Sequence, residues 1–503
     1  MPNIAKCSTF VGSTALVTLG GFMLVLWPAI VDLVLTNELM LTPGSVQYGV
    51  WKETPINIFM EFYMFNWTNP EEILDENKKP HFTEHGPYVF REHHQRVNVS
   101  WKDNNDTVEF HQIRTYHFDK ELSNGSLDDI ITTADPVALA APYVVRKNPA
   151  LLFGLNLVMD VAKTERSISK TVNQFLFEGY NDTLLDLVNS IHNPEFNIPF
   201  DKFGWFYNRN NSWQYDGKFD MYTGKDKLTK LGVLTEWNDS NRTQENFGEC
   251  AMVNGTTGEV WPPLSNTDDV DLFVTDLCRT LKMEYSGKVN KQGIEGNLYL
   301  AGNRSLDNGQ QFPENKCFCG GPDSEESCMP AGAMNVSKCK FGAPAFVSLP
   351  HFHKADPIYL EKVDMPPPNE ETDELFIVVE PNTGVPMEVE AKLQINLLMQ
   401  PYKQIGIFKK VPRVLIPMFY FKQSAKLTPH LAYLMRIVLD LKMIGFIVAG
   451  VFVFIGLVIF ISGIYMTIWG RWSKVPKPAD TVCLIDDENV STISSENMEN
   501  PVT

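Results

Sequence analysis

Two stretches without a charged residue constrain this chain more than anything else in it. Cys7 to Val31 reads CSTFVGSTALVTLGGFMLVLWPAIV, and Met443 to Gly470 reads MIGFIVAGVFVFIGLVIFISGIYMTIWG. Each exceeds the roughly 20 residues that a helix needs to cross a hydrocarbon layer. The first run is also too long for the apolar centre of a cleaved signal peptide, so it reads as an anchor that stays. The expected organisation is a terminus at 1–8, a transmembrane helix at 9–31, an ectodomain at 32–441, a second transmembrane helix at 442–469 and a tail at 470–503.

Flanking charge sets the orientation. Lys6 precedes the first span, and Arg471, Lys474 and Lys477 follow the second. Asp32 and Glu38 lie beyond the first span, while Arg436 and Lys442 point the other way. Both termini are expected in the cytosol. Glycosylation sequons agree: Asn66, Asn98, Asn105, Asn124, Asn181, Asn210, Asn238, Asn241, Asn254, Asn303 and Asn335 all lie between the spans. Such clustering marks a surface that faces the secretory lumen. Asn489 fits the pattern too, but lies in the tail and is expected to be unmodified.

Topology also sorts the cysteines. Cys7 and Cys483 fall on the cytosolic side, where both are candidates for palmitoylation. Cys250, Cys278, Cys317, Cys319, Cys328 and Cys339 fall outside. An even number in an oxidising compartment reads as three disulfides, with the pairing left open. A metal site would recruit His351 and His353 of "HFH", but the paired C-x-x-C spacing of structural zinc is missing.

Strand patterns dominate the ectodomain. Met387 to Met399, MEVEAKLQINLLM, alternates apolar and polar and predicts a half-buried strand. PINIFMEFYMFNW reads as a strand apolar on both faces, and DTVEFHQIRTYHF as a third. A large antiparallel sheet or barrel follows. One helical region interrupts it. Asn148 can cap and Pro149 start a helix on which Leu151, Leu155, Val158 and Ala162 share a face, widened by Leu152, Phe153 and Met159. That surface serves either core packing or an apolar ligand.

Catalytic motifs are missing: there is no G-x-S-x-G, H-E-x-x-H, Walker A or G-x-G-x-x-G sequence. His81, His85, His93 and His94 match no metal spacing, and no cofactor is called for. A net charge of −18 opposes nucleic-acid binding. An ecto-enzyme with dispersed catalytic residues is the outlying alternative.

Several motifs carry a resemblance over nearly the whole chain. They are "NPEE" at Asn69, "HGPYVFRE" at His85, "LCR" at Leu277, "CFC" at Cys317, "SKCKFGAPAFVSLPHF" at Ser337 and "KLQINLL" at Lys392. The chain resembles the class B scavenger receptors, the family of fatty acid translocase and the lysosomal integral membrane proteins, and within it the arthropod-type members. The resemblance implies an α+β fold: an antiparallel β-barrel core, an apical helical cap at 148–190 and a lipid tunnel, anchored by two transmembrane helices. It implies the pairs Cys250–Cys317, Cys278–Cys339 and Cys319–Cys328. It aligns an apical ligand-capturing lysine with Lys163, beside Leu152, Phe153, Leu155 and Val158. A cation next to apolar side chains suits an amphiphile, with the anionic head on the charge and the tail in the tunnel.

The expected function is therefore a receptor, not an enzyme. It captures fatty acids, sterols, phospholipids, carotenoids, lipoproteins or apoptotic-cell ligands at the plasma membrane and passes lipid to the bilayer. The alternative is an endolysosomal membrane protein that sorts a luminal partner. "DTVCLI", with Asp480, Leu484 and Ile485, fits an acidic dileucine signal for clathrin adaptors. No histidine lies in 142–190 to release cargo in acid, which favours lipid uptake.

Overall fold

The computed structural model describes residues 2–190, 200–264, 266–319, 328–470 and 472. The chain divides into two compact units, one of Met1–Ile30 with Leu441–Thr503 and one of Val31–Asp440. Among the described residues, two helices are long and apolar enough to cross a membrane: α1 (Pro2–Leu39) and α9 (Pro429–Ile468). α1 runs past the expected span of 9–31 at both ends, whereas α9 starts ahead of the expected 442 and ends at Ile468, within one residue of the expected limit. Within the first unit, small residues let the two helices approach. A Cβ placed on Gly20 would lie 2.7 Å from Val453 Cγ2 and 2.8 Å from the Ala449 carbonyl oxygen. The indole Nε1 of Trp27 donates to the Leu441 carbonyl at 2.9 Å, and Phe10 meets Phe460 edge-on. Close backbone approach and a polar tether are what hold helices together in lipid.

The second unit is built on one sheet. Its strands are β1 (Ile58–Trp67), β2 (Phe82–Lys102), β3 (Thr107–Phe118), β6 (Lys218–Tyr222), β7 (Leu234–Trp237), β8 (Val270–Val274), β9 (Arg279–Lys291), β10 (Ile294–Ala301), β11 (Met334–Asn335), β12 (Ala345–Ser348), β13 (Phe376–Val379), β14 (Pro386–Met399) and β15 (Val414–Lys426). The order is β7-β6-β3-β2-β1-β15-β14-β13-β10-β9-β8, with β12 added beside β14 and β11 beside β12. A separate hairpin pairs β4 (Ile130–Ala134) with β5 (Ser167–Thr171).

All these pairs are antiparallel, as the alternation predicts, but the sheet is not the closed barrel expected. Its edges, β7 and β8, do not pair with each other. An irregular segment stands between them: Leu234 N donates to Gly255 O, Thr256 N to Asp271 O, and Phe273 N to Thr256 O. Gly255 has φ +76°, and a Cβ there would collide with the Asp271 carbonyl. A glycine in the left-handed region cannot continue a regular ladder, so closure is left to single hydrogen bonds.

β14 departs from the sequence reading in another way. Its polar face is also buried: Lys392, Gln394 and Asn396 are all enclosed. Ser348 at the end of β12 and the turn at His351 meet Gln394 and Asn396 on that face. Gln394 Oε1 accepts from His351 N at 2.7 Å, Gln394 Nε2 donates to Asn396 Oδ1, and Asn396 Nδ2 donates to Ser348 Oγ at 3.0 Å. Polar side chains tolerate burial when they satisfy one another.

The remaining helices are α2 (Val46–Lys52), α3 (Pro136–Val145), α4 (Pro149–Val161), α5 (Thr183–Ser190) and three single turns, α6 (Asn303–Leu306), α7 (Ile358–Glu361) and α8 (Glu370–Asp373). The expected cap at 148–190 is thus only partly helical. It holds α4, β5 and α5, and α3, which lies before it, packs against both helices.

Candidate functional site

α4 begins as its sequence dictates. Asn148 Oδ1 accepts from Ala150 N at 3.1 Å and Leu151 N at 3.2 Å, and Pro149 takes the first helical position. The helix is not solely a packing element. Leu152 and Met159 are buried in the core, while Phe153 is 63%, Leu157 54% and Val161 84% exposed. Leu155 and Val158 are half-buried against the core. Of the predicted apolar ligand residues, Leu152 therefore faces inward and Phe153 outward. Leu157 and Val161 were not singled out, although their i+4 and i+8 spacing from Phe153 puts all three on one face.

Lys163 does not sit on the helix. Ala162 caps α4, and Lys163 follows in the left-handed region with φ +51°. Lys163 N donates to Asp160 O, and Thr164 N to Met159 O at 2.9 Å, a closing turn that usually takes glycine. Lys163 is exposed and forms no ion pair among the described residues. The C-terminal side of α4 is tied down nearby. Asn156 Oδ1 accepts from Gly406 N at 2.6 Å, and Arg166 donates to the Ile407 carbonyl.

Beneath these elements the interior is aromatic. Phe62 meets Phe206 at 5.0 Å and Phe90 at 5.7 Å between ring centres, and Phe177 meets Phe90 at 4.9 Å. Phe419 and Phe421 close the group from β15. Beside it runs a chain of buried charges that sequence reading missed. His94 Nε2 lies 2.6 Å from Glu92, and His94 Nδ1 lies 3.0 Å from Glu259, which also binds Arg96. Arg114 bridges Glu92 at 3.5 Å and Asp216 at 2.8 Å; Arg209 joins Asp216 to Asp276. Burial alone would raise the Glu92 carboxyl, but His94 beside it brings it down to about 2. Glu92, His94 and Arg96 alternate along one face of β2, which the sequence could have shown; Arg114 on β3 and the loop residues Arg209, Asp216, Glu259 and Asp276 are brought to them only by the tertiary fold.

Asp135 caps α3 by accepting from Val137 N at 3.0 Å and Ala138 N at 3.1 Å. Burial pushes its carboxyl up to about 7, with Asp182 adding to the effect. His351 has Asp373 on one ring nitrogen and Glu84 on the other, at 2.9 and 2.8 Å. Both "HFH" imidazoles bond carboxylates, His353 to Glu374 at 3.2 Å. No group of three His, Cys, Asp or Glu able to hold a metal is found among the described residues.

Residues 10–467 match the CD36 family. The chain belongs to the CD36 family. It is 34% identical to Protein peste of Drosophila melanogaster over 84% of this chain and 75% of that protein. It is 34% identical to Scavenger receptor class B member 1 of Sus scrofa, over 84% and 81%. Lysosome membrane protein 2 of Rattus norvegicus is 29% identical over 85% and 88%.

The three disulfides of this CD36-family chain pair as its resemblance implied: Cys250–Cys317, Cys278–Cys339 and Cys319–Cys328. Cys7 is a free, exposed cysteine. Cys483, Asp480, Leu484 and Ile485 lie outside the described residues. Of the sequon asparagines, Asn98, Asn124, Asn181, Asn210, Asn238, Asn241, Asn254 and Asn303 are exposed, and Asn66, Asn105 and Asn335 are half-buried. Asn66 Oδ1 on β1 accepts from Thr132 N of β4 at 2.9 Å.

Proposed function

We propose that this protein is a lipid receptor rather than an enzyme. It captures lipid-bearing particles or free amphiphiles at the exposed face of α4 and passes lipid towards the bilayer. The observation that carries the reading is the row Phe153, Leu157 and Val161, exposed on a glycoprotein-like unit flanked by two membrane-length helices. A solvated helix face has no reason to keep three large apolar side chains unless something covers them. Lys163 beside that row supplies a cation for a carboxylate or phosphate head, with fatty acids, sterols, phospholipids, carotenoids and lipoproteins as ligand classes. The relative named a scavenger receptor supports the reading. The proposed path inward follows Phe62, Phe206, Phe419 and Phe421; these rings pack together, so passage requires them to part. Both termini face the cytosol, and the sequon asparagines carry glycans.

A second reading has one specific support, the relative named Lysosome membrane protein 2. In it, DTVCLI sends the protein to endolysosomes through clathrin adaptors, and the α4 face holds a luminal protein. The test is the full-length chain expressed on cells and offered labelled lipoproteins and phospholipid vesicles. Phe153→Ser with Val161→Ser should reduce their capture at unchanged surface abundance. Wild-type cells that take up no more lipid than cells lacking the protein would refute the receptor reading.

A further inference from the structure

A second surface combines exposed rings with unpaired cations. Phe247 is 43% and Phe341 56% exposed. Lys338 Nζ sits 3.7 Å from the centre of the Phe247 ring. Partial burial presses the Lys338 ammonium below its ordinary pKa, Glu245 opposes this, and Lys147 adds to it. Neither Lys147 nor Lys338 has a salt-bridge partner among the described residues. Lys340, next along, is held by Asp276 at 3.5 Å. Lys147 lies close enough to Lys338 for the two ammoniums to repel each other, and an anion held between them would relieve that repulsion.

The backbone adds a separate observation. Phe341 has φ +53° and ψ +31°, the left-handed region. A bulky residue there is a true outlier, and such strain persists where the surroundings over-determine it. The Phe341 ring meets Phe200 edge-on at 5.4 Å between ring centres, and more than half of it still faces solvent. Both rings stand on disulfide-tied segments: Phe247 is three residues before Cys250, bonded to Cys317, and Phe341 is two after Cys339, bonded to Cys278. The surface is therefore pre-organised, which lowers the ordering cost of binding.

We propose that Lys147, Phe247, Lys338 and Phe341 form a docking surface for an anionic phospholipid layer, the shell of a particle or vesicle. The two rings enter the boundary between headgroups and acyl chains, and the two ammoniums bind phosphate or carboxylate heads. Flat aromatic anchors ringed by lysines are the chemistry of interfacial lipid binding. This deepens the receptor reading and rests on it: this surface holds the particle while α4 receives the lipid.

The experiment uses full-length protein on cells and fluorescent phosphatidylcholine vesicles with and without phosphatidylserine. Each lysine near an anionic surface contributes about one kcal/mol, so Lys147→Gln with Lys338→Gln should weaken binding of the phosphatidylserine vesicles roughly 30-fold and flatten its salt dependence. Phe341→Gly relieves the left-handed backbone, so it should fold at least as well as wild type and yet bind both vesicles less. If these variants bind both vesicles as wild type does, while the α4 variant does not, the docking surface is refuted and the receptor reading stands. Loss of an acidic soluble protein alone, with vesicles still bound, would make this a protein site and likewise refute it. Failure of wild type to bind any vesicle or lipoprotein removes both.

Discussion

His351 Nε2 lies 2.8 Å from Glu84 Oε2, although 267 positions separate them in the chain. Glu84 comes from β2 and His351 from the turn after β12, and Tyr420 of β15 donates to the other Glu84 oxygen at 3.0 Å. One buried imidazole thus ties together segments from the two halves of the second unit. Burial opposes its charge, but Asp373 and Glu84 override this and push the pKa up to about 9.

This has a consequence for pH. A histidine raised from about 6.5 in the unfolded chain to about 9 in the folded one contributes stability that is fully present below pH 6.5. It is lost as pH rises through 9. The expected contribution is of order 3 kcal/mol. Thermal unfolding of wild type should fall between pH 7 and 10 more steeply than that of His351→Gln. Parallel curves for the two would show that the imidazole is not charged in the folded state.

Asp135 has the opposite chemistry and the same sign. Its carboxyl, buried at the start of α3, is raised from 3.8 to about 7. The folded state then holds a proton that the unfolded state has released, so stability rises as pH falls from above 7 towards 4. Asp135→Asn keeps a capping side chain but cannot titrate. Amide exchange at Val137 and Ala138 should speed up on going from pH 6 to pH 8 in wild type, beyond the intrinsic rate change, and not in the variant. An identical excess in both would remove Asp135 as its source.

Lys163 offers two substitutions that part charge from backbone. Lys163→Ala should weaken capture of anionic lipids roughly tenfold, the worth of one charge-assisted hydrogen bond. Lys163→Gly removes the same charge but suits φ +51°, so it should raise thermal stability while binding as weakly as the alanine variant. A neutral ligand such as a carotenoid should bind both variants as it binds wild type. Full binding of anionic ligands by both variants would make Lys163 an ordinary surface lysine.

Asn396 reports on the buried polar face of β14. Asn396→Ala strands the Gln394 amide and Ser348 hydroxyl that it bonds. Leaving buried partners unsatisfied costs about 1–3 kcal/mol each. Denaturant unfolding should show a loss in that range, and a loss below about 0.5 kcal/mol would mean that the face is hydrated.

The tail is tested by relocation. Leu484→Ala with Ile485→Ala should move protein from endolysosomes to the cell surface, seen by surface biotinylation and imaging. An unchanged distribution would show the DTVCLI match to be accidental.

What the sequence determined by itself is local or compositional. Uncharged runs predict the two long helices because burying charge in lipid is prohibitive. Asn148 and Pro149 predict the start of α4 because capping acts within four residues. Alternation predicts β14 because side chains in a strand point to opposite faces, and the apolar and aromatic run PINIFMEFYMFNW predicts β1. Tertiary structure decided everything that depends on what lies opposite. It buried the polar side of β14, and turned Leu152 inward while Phe153 and Val161 faced out. It set Lys163 in a left-handed turn beyond the helix and left the sheet unclosed at Gly255. It also placed His351 between Glu84 and Asp373 and strung Glu92, His94, Arg114, Asp216 and Arg209 into one chain. Helix and strand periods are properties of the backbone and can be read from a window of residues. Burial, and charge pairing such as that of His351 with Glu84, depend on neighbours brought from distant positions, which no window contains.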